Sequence, residues 1–74
     1  MRKKLIIFLI RTRLGLKVKQ RFRFVEQKNK RECYFFTSDS IVKIKNTEYG
    51  EFCCASSVSL NWLLNDKCQI ELVK

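Results

Sequence analysis

The sequence predicts a mainly β fold: a small antiparallel sheet with one short helix before the last strand. Three observations predict it. Several short segments alternate between apolar and polar residues with the period of a strand, clusters of Asn, Asp, Ser and Gly separate them, and one stretch near the carboxyl end has apolar residues at helical spacing. The chain has 74 residues, the size of one small domain with a thin margin of stability, so we expect a single domain over 1–74.

The first predicted strand is Leu5–Ile10, a run of apolar residues that follows a basic amino-terminal segment. Such a run is typical of a strand buried on both faces. We favour it over a helix because Lys3 and Lys4 would lie at the positive end of a helix dipole. The run is too short for a signal peptide or a transmembrane helix, so we expect a cytoplasmic protein without a membrane partner.

Residues Ile10–Val25 alternate between apolar and cationic positions, the pattern of a strand with two different faces. Sixteen residues are long for one strand, and we predict two strands hinged near Gly15 by a turn, bulge or bend. The apolar positions predict Val18, Phe22 and Phe24 as core residues. The cationic positions are Arg11, Arg13, Lys17, Lys19, Arg21 and Arg23.

The rest of the chain alternates between strands and turns. Further strands are predicted at Glu32–Thr37, Ile41–Lys45, Glu51–Ala55 and Cys68–Val73, with turns at Gln27–Arg31, Ser38–Ser40 and Asn46–Gly50. Serine hydroxyls up to Ser59 can cap a helix that contains Leu60, Leu63 and Leu64 and ends near Asn65. Cys68, Ile70 and Leu72 are expected to face inward. We favour a curled sheet or a partial barrel of the SH3-like or OB-like kind over an open sheet with a helix on one face.

The net charge of +9 is distributed unevenly along the chain. Residues 1–31 contain twelve Lys and Arg against one Glu, whereas residues 32–74 contain four Lys and Arg against six acids. This asymmetry favours a polyanionic partner over a general contribution of charge to solubility.

We therefore expect a nucleic-acid-binding protein, for RNA or DNA, that contacts the phosphate backbone through the cationic positions. Lys28, Lys30 and Arg31 in the adjoining turn extend this set. Base stacking would need exposed aromatic residues; Tyr34, Phe35, Phe36 and Trp62 are candidates, with core packing as the favoured alternative. A solvated strand face without any ligand is the remaining interpretation of the charge pattern.

Two other functions stay open. One is a protein-interaction module or inhibitor, for instance phage-encoded, that docks on an acidic protein surface or adds a strand to a partner's sheet. The other is a small ribosomal protein, since these combine basic charge with a β-barrel.

Catalysis and metal binding are not expected. The chain has no His and two Gly, which excludes His-dependent nucleophile activation and Gly-rich phosphate loops. Cys33, Cys53, Cys54 and Cys68 form no C-x-x-C pair, so we expect no metal site. We expect no disulfide framework either, because the sequence shows no secretory context. Cys53 and Cys54 should face opposite sides of a strand. No cofactor is predicted.

Overall fold

The computed structural model describes residues 2–73, and the side chains of residues 3–73. The elements are α1 (Arg2–Arg13), β1 (Phe22–Phe24), β2 (Glu32–Phe36), β3 (Ile41–Thr47), β4 (Gly50–Ala55), α2 (Leu60–Leu63) and β5 (Ile70–Leu72). The strands form one antiparallel sheet in the order β4-β3-β2-β1-β5. The predicted mainly β class and the short helix before the last strand are confirmed. The sheet is unclosed within the described residues, with β4 and β5 at its edges.

The segment Leu5–Ile10, predicted as a strand, belongs to α1, so that prediction is wrong. Ile7 and Ile10 are spaced by one helical turn and are buried against the sheet, and Leu14 extends the same side just beyond the helix. A short apolar run fits a helix as well as a strand, and this packing outweighs the unfavourable cations in the first turn. None of the helices within residues 2–73 is long and apolar enough to cross a membrane.

Gly15 ends α1 rather than joining two strands. Its φ is +73°, its N–H donates to the Thr12 carbonyl at 3.0 Å, and the Leu16 N–H donates to the Arg11 carbonyl at 3.0 Å. These two bonds form the Schellman motif, which satisfies the last carbonyls of a helix and favours glycine in the left-handed conformation. Leu16 then enters the core.

The predicted ribbon over Ile10–Val25 is therefore wrong as a β structure. Only Phe22–Phe24 is a strand, and the residues between α1 and β1 form a connection. In this connection a turn places Lys19 at a φ of +65°, and its N–H donates to the Phe36 carbonyl at 2.8 Å. Val18 lies in this turn and is exposed, so its predicted place in the core is wrong too.

The core lies between α1, α2 and one face of the sheet. Phe22 is fully buried, stacks on Phe36 at 5.4 Å between ring centroids, and meets the edge of Phe24 at 5.6 Å. Ile7 and Leu63 bring the two helices to the same cluster. The predicted core positions Phe22 and Phe24 are confirmed, because alternate residues of β1 do face the core.

The predicted strands in the second half are confirmed, with ends shifted by one or two residues. Ser59 caps α2 by accepting a hydrogen bond from the Asn61 N–H at 3.1 Å. The helix is a single turn and ends at Leu63, earlier than expected. Cys68 and Ile70 pack against the core as predicted, but Leu72 is exposed because β5 is an edge strand.

Candidate nucleic-acid interface

The sheet has two faces of different character. Phe22 and Phe24 of β1 face α1, so Arg23 between them, and Arg21 just before β1, face the other way. We call this other side the open face; Arg21, Arg23, Cys33, Ile44 and Glu51 define it. The strand register supports the assignment, since Cys33 lies opposite Ile44 and Ile44 opposite Cys53.

Arg21 and Glu51 form an ion pair across the open face. Arg21 Nη1 donates to Glu51 Oε2 at 2.8 Å, and Nη2 donates to Oε1 at 3.3 Å. Because β2 and β3 lie between β1 and β4, the two side chains extend over roughly 14 Å of sheet. They lie along the surface instead of pointing away from it. This explains why Cys33 and Ile44 are buried on a face without a helix.

Arg23 and Lys30 are held beside this pair. Arg23 Nε lies 3.7 Å from Glu71 Oε1, too far for a hydrogen bond, and has no other partner among the described residues. The Lys30 ammonium donates to the carbonyls of Phe24 and Val25. Both cations line the same concavity of the open face as Arg21 and Glu51.

Arg31 is presented by an ordered turn. The Gln27 side chain accepts from the Phe24 N–H at 2.8 Å and donates to the Glu32 carbonyl at 2.7 Å, joining the two ends of the turn. Asn29 Oδ1 accepts from the Arg31 N–H at 3.0 Å. Within the described residues, Arg31 and Lys19 are exposed and form no ion pair. Their charges are free to meet a ligand.

Two adjoining concavities of about 330 Å³ each occupy the open face and share Arg21, Ile44 and Glu51 as walls. Five of the nine predicted cations line them. These are Lys19, Arg21, Arg23, Lys30 and Arg31. The cations face two carboxylates, Glu51 in the wall and Glu71 beside Arg23. Ile44 gives both concavities an apolar part, to which Phe35 adds in one of them, so the open face combines several cations with a smaller apolar surface.

The other four predicted cations lie elsewhere. Arg11 is in α1, where its guanidinium donates to the Leu16 carbonyl at 2.8 Å. Arg13 donates to Asp66 at 2.9 Å. Lys17 is in the connection before β1 and Lys28 is in the turn after it, both exposed. The predicted single row of alternating cations therefore divides between two sides of the molecule.

The aromatic candidates behave mostly as core residues. Phe36 is buried, and Tyr34 and Trp62 pack against the core cluster; Phe35 lines the open face. Burial raises the pKa of the Tyr34 hydroxyl above its ordinary value.

Sequence reasoning missed two exposed aromatic residues. Tyr49 at the β3–β4 turn is 85% exposed, and Phe52 is also exposed. With Arg31, Asn29 and Asn46 they line a groove of about 580 Å³ that continues from the open face at Arg31. The sequence contained a signal for the exposure of Tyr49. This residue follows the turn residues Asn46–Glu48 and precedes Gly50, so it was expected at the tip of a hairpin.

Electrostatics on the open face follow from these contacts. The hydrogen bond to Glu51, and then its charge, raise the pKa of the Arg21 guanidinium, which is charged at any physiological pH. Burial raises the pKa of the Cys33 thiol, an effect opposed by the positive charge of Arg21. Within the described part of the chain, no three His, Cys, Asp or Glu side chains come close enough to share a metal ion.

Comparisons with protein-family models, with curated proteins and with solved structures found no match to this chain.

Proposed function

We propose that the protein binds nucleic acid through the phosphate backbone at the open face. The observation that carries the proposal is the convergence of five Lys and Arg side chains on two adjoining concavities with two carboxylates among them. Cations on one surface neutralise successive phosphates and release condensed counterions, which gives affinity without sequence preference.

The pairing of Arg21 with Glu51 fits a site that opens to a polyanion. Both side chains are about half exposed, so the pair contributes little to stability and can be exchanged for a phosphate. A phosphate accepts two parallel hydrogen bonds from a guanidinium as a carboxylate does. Lys19 and Arg31 then supply the charge that attracts the ligand first.

The groove at the hairpin tip adds a place for a base. Tyr49 and Phe52 offer exposed rings beside Arg31, and base–aromatic stacking contributes about 1–3 kcal/mol per base in single-stranded complexes. This arrangement favours single-stranded over double-stranded ligands, because paired bases cannot reach a ring outside the helix.

The test is fluorescence anisotropy with labelled mixed-sequence 20-mers of DNA and RNA at about 50 mM salt. Lys19→Gln/Arg31→Gln should weaken binding by about 10–50-fold, since each lost phosphate contact costs close to one order of magnitude at that salt. The matched control is Lys45→Gln/Lys67→Gln, which removes two exposed cations that do not line the two open-face concavities. Equal losses in both variants, or no binding by the wild type, would reject the proposal.

A second candidate is a protein-interaction module that uses β4. All six residues of Gly50–Ala55 are exposed, and the strand lies at an edge of the sheet within residues 2–73. Edge strands are usually protected by Lys, Pro or a bulge, whereas the charged residue of β4 is Glu51. A strand from a partner could pair with this edge.

Affinity purification from the native cell, with and without nuclease, separates the two functions. Nucleic-acid binding predicts that recovered proteins disappear after nuclease treatment. An interaction module predicts that one protein is still recovered after nuclease treatment. This protein should be lost with Cys53→Pro, which removes a backbone donor from β4 and disturbs the pairing of β4 with a partner strand.

A further inference from the structure

The helix α1 is apolar on two opposite sides. Ile7 and Ile10 are 1% exposed and form part of the core, whereas Leu5, Phe8 and Leu9 are 60%, 49% and 54% exposed on the side away from the sheet. A helix on a protein surface normally has one apolar side and one polar side. We call Leu5, Phe8 and Leu9 the outer stripe.

Thr12 continues the outer stripe on the same side of the helix, and its hydroxyl is already hydrogen-bonded within the helix. Its Oγ1 lies 3.0 Å from both the Phe8 and the Leu9 carbonyl oxygens, so its one proton is donated within the helix. A hydroxyl that is satisfied inside its own helix costs less to place in an apolar environment than one that needs water. One further turn of the helix surface is thereby made compatible with an apolar partner.

Cations border the outer stripe at both ends. The helix contains no Asp or Glu; Lys3 and Lys4 lie in its first turn, and Arg11 and Arg13 in its last. Lys4 and Arg11 are two turns apart, so they lie along the same edge of the stripe. The Arg11 guanidinium stands 5.5 Å from the Phe8 ring centroid, directly at the border between apolar and charged surface.

We propose that α1 lies flat on a bilayer that contains anionic phospholipid. Leu5, Phe8 and Leu9 would enter the interface between headgroups and acyl chains, and Lys4 and Arg11 would reach the headgroup phosphates with their long side chains. At twelve residues, α1 is roughly 18 Å long, which suits a helix lying in the interface plane. This inference replaces the expectation of no membrane partner and does not rest on the proposed nucleic-acid function.

The charges argue against a second copy of this chain as the occupant. Two α1 helices packed on each other, parallel or antiparallel, would bring cations together with no acid in either helix. Nucleic acid would satisfy the charge but would leave the leucines in water. A bilayer with anionic lipid satisfies both, and contributes about 1 kcal/mol for each Lys or Arg near its surface.

The area of the outer stripe argues against a protein partner. The exposed apolar side-chain surface of the outer stripe and Ile6 together is on the order of 300–400 Å², at most half of the roughly 800 Å² of total surface that each partner buries in stable complexes. A fluid bilayer needs no complementary shape and accommodates a short stripe. Docking by α1 would leave the open face, on the opposite side of the sheet, directed away from the membrane.

The test is co-sedimentation of the full chain with vesicles of 70% phosphatidylcholine and 30% phosphatidylglycerol, compared with phosphatidylcholine alone. The wild type should partition onto the anionic vesicles at least tenfold more strongly. Leu5→Gln/Leu9→Gln, exposed positions changed to a good helix former, should lower that partitioning at least tenfold. Val18→Gln/Val25→Gln changes exposed apolar residues outside α1 and should have no effect. Circular dichroism checks that all variants fold alike.

A second measurement places the stripe in the lipid. Phe8→Trp should show a blue-shifted emission with anionic vesicles, over the background of the wild type with Trp62 alone. The proposal is overturned if the wild type does not bind these vesicles, or if Leu5→Gln/Leu9→Gln binds as tightly as the wild type. It is also overturned if sedimentation shows that the wild type is a dimer and that Leu5→Gln/Leu9→Gln dissociates this dimer. A third contrary result is that Leu5→Gln/Leu9→Gln abolishes binding to an acidic protein but leaves vesicle binding unchanged.

Discussion

Arg21 and Glu51 are joined across the open face by two hydrogen bonds, at 2.8 and 3.3 Å. Arg21 directly precedes β1 and Glu51 belongs to β4, and β2 and β3 lie between these two strands in the sheet. The pair covers Cys33 and Ile44 and forms a wall shared by two cationic concavities. Glu51 therefore both orders Arg21 and neutralises it. A ligand phosphate has to compete with this carboxylate for the guanidinium.

Removing the negative charge of Glu51 should strengthen nucleic-acid binding. We expect Glu51→Gln to raise affinity about three- to tenfold at low salt, because one phosphate contact becomes available and one repulsive charge is lost. Stability should fall by at most about 1 kcal/mol, since the pair is half exposed. Anisotropy titration and urea unfolding measure the two effects. Asp66→Asn, which breaks the exposed ion pair with Arg13, is the control and should change affinity less than twofold.

Lys19 should show a trade-off between stability and binding. Its φ of +65° is unfavourable for a residue with a side chain. Lys19→Gly is expected to raise the free energy of unfolding by about 0.5–1 kcal/mol, and to weaken nucleic-acid binding by removing a cation from the open face. Parallel urea unfolding and binding measurements test this. A loss of stability, or unchanged binding, would contradict the role given to Lys19.

Gly15 should be required for its conformation alone. No atom lies within 4 Å of the position of an added Cβ, so the cost of Gly15→Ala is that of the left-handed backbone, about 1–2 kcal/mol. Gly15→Asn should cost less, because Asn adopts this conformation more readily. Thermal unfolding measures both. Equal stability of Gly15→Ala and the wild type would exclude the Schellman ending of α1.

Alkaline pH should destabilise the protein through the buried Cys33 thiol and the partly buried Cys68 thiol. Burial raises the pKa of Cys33 and of Cys68, so thiols in the unfolded chain release their protons at lower pH than in the folded protein. The unfolded state then binds fewer protons, and the free energy of unfolding falls as pH rises above about 8.5. Urea unfolding between pH 7.5 and 9.5 measures this decline, which Cys33→Ser should make shallower. An unchanged slope in that variant would exclude Cys33 as a contributor.

The strands of the second half could be predicted because local chemistry determines them. Glu32–Thr37 is rich in aromatic residues, and the turn at Ser38–Ser40 and the glycine of the β3–β4 hairpin limit the neighbouring strands. The cap at Ser59 was equally local. In these segments the alternation of apolar and polar residues and the turn residues predict the same elements that the tertiary packing stabilises.

The first half could not be predicted in the same way, because two patterns competed there. The alternation from Ile10 to Val25 suggested a strand, while Ile7, Ile10 and Leu14, followed by Gly15, carry the spacing and the end signal of a helix. The helix is the observed structure. Alternation in the connection between α1 and β1 has no structural meaning, since the turn at Lys19 breaks the period.

The ion pairs that shape the candidate site depend on tertiary structure. Arg21 and Glu51 are thirty residues apart, and their contact depends on the strand order. The sequence showed that cations are concentrated in the first half of the chain. It did not show that α1 carries Arg11 and Arg13 away from the open face, or that Arg31 adjoins Tyr49.

The dependence of nucleic-acid affinity on salt tests the central claim most directly. If all five cations of the open face contact phosphates, the logarithm of the association constant for a single strand should fall with the logarithm of salt concentration at a slope of about −3.5. Lys19→Gln/Arg31→Gln should make the slope shallower by about 1.4, and Lys45→Gln/Lys67→Gln should leave it unchanged. A slope near zero, or the same change in both variants, would contradict binding at the open face.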